Sequence, residues 1–166
     1  MADNTDKRGN VYDILKGFST AMVVTHGLDG KHRARPMHIA ELDQQAGQVR
    51  FLTGHGAFAD EVQKESGVLL VFENENSAYL SLRGKARIER DKDKVKAIWK
   101  EPYKVWFPQG PGDPEIVLVE VDLTEAEYWD NRGMNKLEYL FEAAKAYVKG
   151  QKPDVKDEEQ HAKATL

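Results

Sequence analysis

Residues 78–89 alternate without a break, and no other feature restricts the fold of this chain as strongly. Ala78, Leu80, Leu82, Gly84, Ala86 and Ile88 fall on one side of an extended backbone. Tyr79, Ser81, Arg83, Lys85, Arg87 and Glu89 fall on the other. A strand sends successive side chains to opposite faces, whereas a helix would scatter this set around its circumference. The segment reads as one long strand with a buried face and a wet face.

Other strands follow from shorter signals. Residues 21–26 are apolar and β-branched, and Leu28-Asp29-Gly30 supplies a hairpin turn. Residues 33–42 form the return strand, in which Pro36 calls for an edge position or a bulge, because proline donates no ladder hydrogen bond. Residues 48–53, 68–72 and 116–123 complete a set of six strands. Helices are expected at 11–17, at 57–65 with Phe58 and Val62 on one face, at 91–100, and at 137–148. Residues 101–114, rich in Pro, Gly and aromatics, read as an ordered loop. Closing six short-linked strands on themselves removes exposed edges, so the expected fold is mainly β: a six-stranded antiparallel barrel with peripheral helices. One domain is expected over residues 11–150, with residues 1–10 flexible and 151–166 a charged, flexible tail.

Composition narrows function mainly by exclusion. The 166 residues carry a formal net charge of −4, which disfavours general nucleic-acid binding. The absence of cysteine excludes disulfides, thiol nucleophiles and cysteine-ligated metals. The opening residues lack the apolar stretch of a secretory leader, and no apolar run could span a bilayer. No membrane association is expected, and the cytoplasm is the expected compartment. No nucleophile elbow, zinc-protease helix, P-loop or dinucleotide fingerprint occurs. His32 and His38 share strand parity and His26 lies across the same hairpin, but the sequence indicates no further ligand or supporting partner, so no metal is expected.

Two features remain open between a structural and a functional reading. Lys31-His32-Arg33-Ala34-Arg35 is either a solvated hairpin arm or an anion clamp, since guanidinium groups grip phosphate in a two-pronged geometry. Trp129 either covers the barrel end, or stacks on a flat cofactor, or fills a dimer seam.

Several ordered pieces carry a resemblance: Asp29-Gly30, Arg35-Pro36-Met37, Phe51-Leu52-Thr53, Tyr79-Leu80-Ser81-Leu82-Arg83-Gly84, Ile98-Trp99, Phe107-Pro108-Gln109-Gly110 with Asp113-Pro114, and Tyr128-Trp129-Asp130. From about residue 11 to 130 the set resembles the general stress protein 26-like branch of the pyridoxamine 5′-phosphate oxidase-related superfamily. The resemblance implies a split barrel, a homodimer and FMN in a cleft between subunits. It points to Arg35, Pro36, Met37, Phe51, Leu52 and Thr53 as cofactor-binding residues, with Trp129 near the flavin or the dimer cleft. Where such proteins carry a Ser and a Lys on the flavin phosphate, this chain has Ala57 and Ala59, which weakens the expected FMN site. Arg35, His55 and the helix start near Ala57 are the expected compensation.

The implied function is an FMN-dependent oxidoreductase, with a nicotinamide compound as a possible electron donor. No catalytic acid or base stands out. The alternatives are a non-catalytic flavin reservoir or sensor, and a barrel holding another flat ligand such as a deazaflavin or haem.

Overall fold

The computed structural model describes residues 4–73, 78–130 and 161–166. The elements run α1 (Asn4–Leu15), β1 (Thr20–His26), β2 (His32–Asp43), β3 (Gln48–Gly54), α2 (Ala57–Lys64), β4 (Gly67–Glu73), β5 (Ala78–Glu89), α3 (Lys92–Ile98), β6 (Ile116–Asp130) and β7 (His161–Thr165). Strands follow one another in the order β3-β2-β1-β4-β5-β6, and β3 pairs back onto β6. All of these pairings are antiparallel, so a six-stranded barrel closes as expected. Among the described residues no helix is long and apolar enough to cross a membrane.

The alternation of β5 fixes which face is inside. Ala78, Leu80, Leu82 and Ala86 are each at most 4% exposed, whereas Tyr79 is 40% exposed. Val23, Phe51, Leu70, Val119 and Val121 meet them in the interior, and Val11, Ile14 and Leu15 of α1 and Phe58 and Val62 of α2 join the same core. Each fully buried Leu or Phe contributes on the order of 1.5–3 kcal/mol. A second cluster packs Val95 and Ile98 of α3 with Tyr103 and Phe107 against Ala40, Ile116 and Leu118. It covers the β2–β3–β6 side of the barrel from outside.

Three boundaries differ from expectation. The first helix begins at Asn4, although residues 4–10 have no apolar periodicity and were expected to be flexible. Once Val11, Ile14 and Leu15 are docked, adding turns to an existing helix is cheap compared with nucleating one. The last barrel strand runs to Asp130 and not 123. It passes Thr124 through a bulge, where Gly84 pairs with Leu123 and Arg83 with Glu125. Gly84 is required there, because a Cβ would lie 2.6 Å from the Asp122 carbonyl oxygen. Finally, His161–Thr165 is a strand and not part of a solvated tail. The far end of β6 presents an edge, and β7 pairs with Glu125–Trp129 while Ala164 enters the core. The Asn74-Glu75-Asn76 segment, whose composition reads as a turn, and the helix expected at 137–148 lie outside the described residues.

A candidate ligand seam between β2 and β3

The two strands that carry most of the expected site residues do not stay together. Pairing between β2 and β3 runs from Asp43 opposite Gln48 to Ile39 opposite Phe51 and ends there. Beyond it, Arg35, Pro36 and Met37 pair with Val23, Met22 and Ala21 of β1. Leu52, Thr53 and Gly54 keep the pairing with β6 that runs along all of β3, opposite Leu118, Val117 and Ile116, and have no partner on β2. The barrel is therefore split along a seam between β2 and β3.

The seam explains Pro36. The Ile39 N–H donates to the Ser19 carbonyl at 2.8 Å, so it points toward β1. Alternate residues point the same way, so Arg35 and Met37 also address β1, and the Pro36 nitrogen faces the seam. Its missing donor falls on an edge, as one of the two sequence readings required. The irregularity in β2 lies farther on, between Ile39 and Glu41. The Pro36 carbonyl and both backbone groups of Ala34 face the seam for the same reason of alternation.

Helix α2 stands beside the seam and brings a residue that sequence reasoning missed. Glu61 is 2% exposed. Arg35 donates through Nη2 to Glu61 Oε1 at 2.8 Å and through Nη1 to Thr25 Oγ1 at 2.9 Å, and the Thr25 hydroxyl donates to Glu61 Oε2 at 2.6 Å. The guanidinium also lies 5.6 Å from the centre of the Phe58 ring. Arg33 adds Nε at 3.4 Å from Glu61 and donates through Nη2 to Asp29 at 2.9 Å. The Arg35 hydrogen bond holds the Glu61 carboxyl below its ordinary value against the opposing effect of burial, and Thr25 and Arg33 assist. The signal was present in the sequence: Phe58, Glu61 and Val62 share one helical face, and a carboxylate on an apolar face needs a cationic partner.

The other expected residues divide into three groups. Met37 and Phe51 are buried in the barrel core. Leu52 and Thr53 are half-buried on the β3 side of the seam, and Pro36 is exposed on the β2 side. His55 is exposed at the α2 end, with its backbone N–H donated to the Glu115 carbonyl at 2.9 Å.

Trp129 does not reach the seam of its own chain. It lies on the outer face of β6, opposite Tyr79 and His161. A cross-strand row runs Pro36, Met22, Val71, Ser81, Glu127, with Trp129 two residues beyond. At ~4.8 Å per strand, the row spans roughly 19 Å. Met22, Val71, Tyr79 and Trp129 along it are each 38–41% exposed, and Val71, Tyr79 and Trp129 line an open hollow of ≈ 430 Å³.

The side chains at the start of α2 offer no donor to a flavin phosphate. Ala57 is exposed but ends in a methyl group, and Ala59 is 0% exposed with its methyl in packed interior. Phe58 lies under Arg35, and Arg35 is already engaged by Glu61 and Thr25. The seam fits the flat part of a flavin better than its anionic tail.

A second buried carboxylate is structural. Glu120 of β6 lies across from Arg50 and Arg87, accepting from Arg50 Nε at 3.1 Å, Arg87 Nη2 at 2.7 Å and Lys94 Nζ at 3.3 Å. It anchors α3 to the barrel. His26 and His32 meet at a tilt of 57° with ring centres 4.5 Å apart, and among the described residues no group of three or more His, Asp or Glu side chains is arranged to hold a metal ion.

The closed ring, the seam and the apolar outer face define a class of protein: a small split barrel with one open strand edge. The chain belongs to the pyridoxamine 5′-phosphate oxidase-like family, whose sequence profile matches residues 6–154. Solved structures agree. A candidate general stress protein 26 from Jannaschia sp. CCS1 superposes with a TM-score of 0.70 at 23% identity, over 99% of this chain and 100% of that one. A Clostridium acetobutylicum protein related to general stress protein 26 gives 0.68 at 19% identity, over 79% and 92%. The general stress FMN/FAD binding protein of Xanthomonas citri gives 0.67 at 24% identity, over 79% and 93%. No curated protein matches the chain.

Proposed function

We propose that this protein binds a flavin, with FMN as the flavin its resemblance implies, and works as a homodimer. The isoalloxazine lies in the seam between β2 and β3, against Pro36, Leu52 and Thr53. The observation that carries the reading is the divergence of β2 from β3 at Ile39 and Phe51, which opens a strand edge within the segments the family resemblance assigns to the cofactor. Membership of the family and the FMN/FAD binding of the Xanthomonas citri relative support it. The outer apolar row supplies the dimer face, and a twofold pairing there brings Trp129 of the partner subunit toward the seam that its own chain cannot reach.

When bound, the flavin supplies hydride or electron transfer, and the chain supplies binding and orientation. A non-catalytic reservoir or sensor is the second reading. It is favoured by one fact: Glu61, the buried carboxylate beside the seam, is fully engaged by Arg35 and Thr25 and is not poised as an acid or base. Titration of the purified chain with FMN, followed by flavin fluorescence, tests binding. Reduction of bound flavin by a nicotinamide donor then separates oxidoreductase from reservoir. Failure to bind flavin at ligand concentrations of about 1 mM, a very weak affinity, removes both readings.

A further inference from the structure

We propose that this site recognises its flavin without the 5′-phosphate, so that riboflavin binds about as tightly as FMN, and that Glu61 is the residue that sets this specificity. The inference rests on the flavin reading above and deepens it. Arg35 is the cation that the resemblance places at the cofactor site, and each of its terminal nitrogens already holds a partner in the buried network. One donates to Glu61 at 2.8 Å and the other to Thr25 at 2.9 Å. A phosphate dianion drawing Arg35 away would leave a carboxylate that is only 2% exposed without its main partner. That leaves a buried charge with only Thr25 and the more distant Arg33 beside it, the costly direction for a broken ion pair. If Arg35 stays in place, the dianion instead meets a group whose charge Glu61 has already neutralised.

The neighbouring groups do not change the balance. Arg33 is shared between Glu61 and Asp29, so two guanidinium groups face two carboxylates. Lys64 lies at the other end of α2, where it donates to the Leu28 carbonyl at 3.1 Å. The first turn of α2 presents Ala57, Phe58 and Ala59, none with a side-chain donor; its backbone N–H groups have no side-chain cap but carry no net charge to offset a dianion, and the preceding His55 N–H is taken by Glu115. Arg35 is thus a positioning residue for β2 and α2 and not a phosphate clamp.

Parallel titrations of the full-length protein with FMN and riboflavin test this, read by quenching of flavin fluorescence. The expected dissociation constants agree within about threefold, and their ratio does not change between low and high salt, because a dianion held by a cation is weakened by screening whereas a neutral ring is not. Glu61→Gln keeps the shape, retains an acceptor for Thr25 and releases Arg35. It should favour FMN over riboflavin by roughly tenfold or more, the scale of one charge-assisted hydrogen bond. Thermal melting shows whether that variant is folded, and if it is not, the wild-type ratio and its salt response decide alone. A wild-type preference for FMN of roughly 30-fold or more that collapses at high salt overturns the proposal and leaves the flavin reading standing. Binding of neither flavin overturns both.

Discussion

At the scale of single residues, Arg35 and Glu61 govern the behaviour of the seam. Replacing Arg35 by Ala strands a buried carboxylate. Because Arg35 keeps 29% side-chain exposure, the loss should be about 2–3 kcal/mol, below the ~3–5 of a fully buried pair. Urea unfolding measures it, and a loss under ~0.5 kcal/mol would mean that the pair carries no structural weight. The same carboxylate gives a pH signature. Its folded pKa lies below the ordinary 4.5, so its contribution is complete above that value and disappears as pH falls through the lower folded pKa. The stability gap between wild type and Glu61→Gln should therefore be widest near neutrality and close in acid; a gap independent of pH would contradict the assignment. Ala59→Lys is a further discriminating change. Ala59 is 0% exposed, so an ammonium there should destabilise the fold and not improve FMN affinity.

At the scale of elements, the β5–β6 bulge and the β7 strand both depend on backbone proximity. Gly84→Ala forces a methyl to 2.6 Å from the Asp122 carbonyl oxygen and 2.7 Å from Val121 Cγ1. Overpacking of this kind costs typically 1–3 kcal/mol, and a shift in the urea midpoint reads it directly. Deleting residues 161–166 uncovers the edge at Glu125–Trp129 and removes Ala164 from the core. Faster hydrogen exchange should then appear at those β6 amides and at α1, which packs against β7, while the β1–β4 amides keep their protection. Loss of protection across the whole barrel would show that β7 is integral to the ring. Some of these elements were visible in the sequence and others were not. The alternation of 78–89 and the apolar face of 57–65 depend on neighbours two to four residues away, which a single pattern exposes. The reach of β6 to Asp130 depends on β5 and β7 being available as partners, and its own sequence from Thr124 carries charge on both sides of the pattern.

At the scale of the whole molecule, the outer row of Met22, Val71, Tyr79 and Trp129 is the surface on which assembly should occur. Val71→Lys puts a charge between Met22 and Ser81 at its centre, on the outside of the barrel. Sedimentation equilibrium should show a dimer for the wild type at micromolar concentration and a monomer for the variant, with the same circular dichroism. A monomeric wild type would remove the dimer and, with it, any role for the partner's Trp129.

The sequence by itself determined the barrel class, the inward set of residues on each strand and the place of most helices. These follow from periodicity and turn chemistry, which act over a few residues. It also brought out the segments that border the seam, through the order of short motifs that resemble the family. Only the tertiary structure decided what those segments do. Glu61 reaches Arg35 across a separation of 26 residues, and Glu120 reaches Arg50 across 70. The free energy of such a pair depends on burial and on the geometry of two elements brought together from far apart in the chain. No local pattern encodes that geometry, so an arginine that the sequence leaves open between a solvated arm and an anion clamp is, in the folded protein, paired with Glu61.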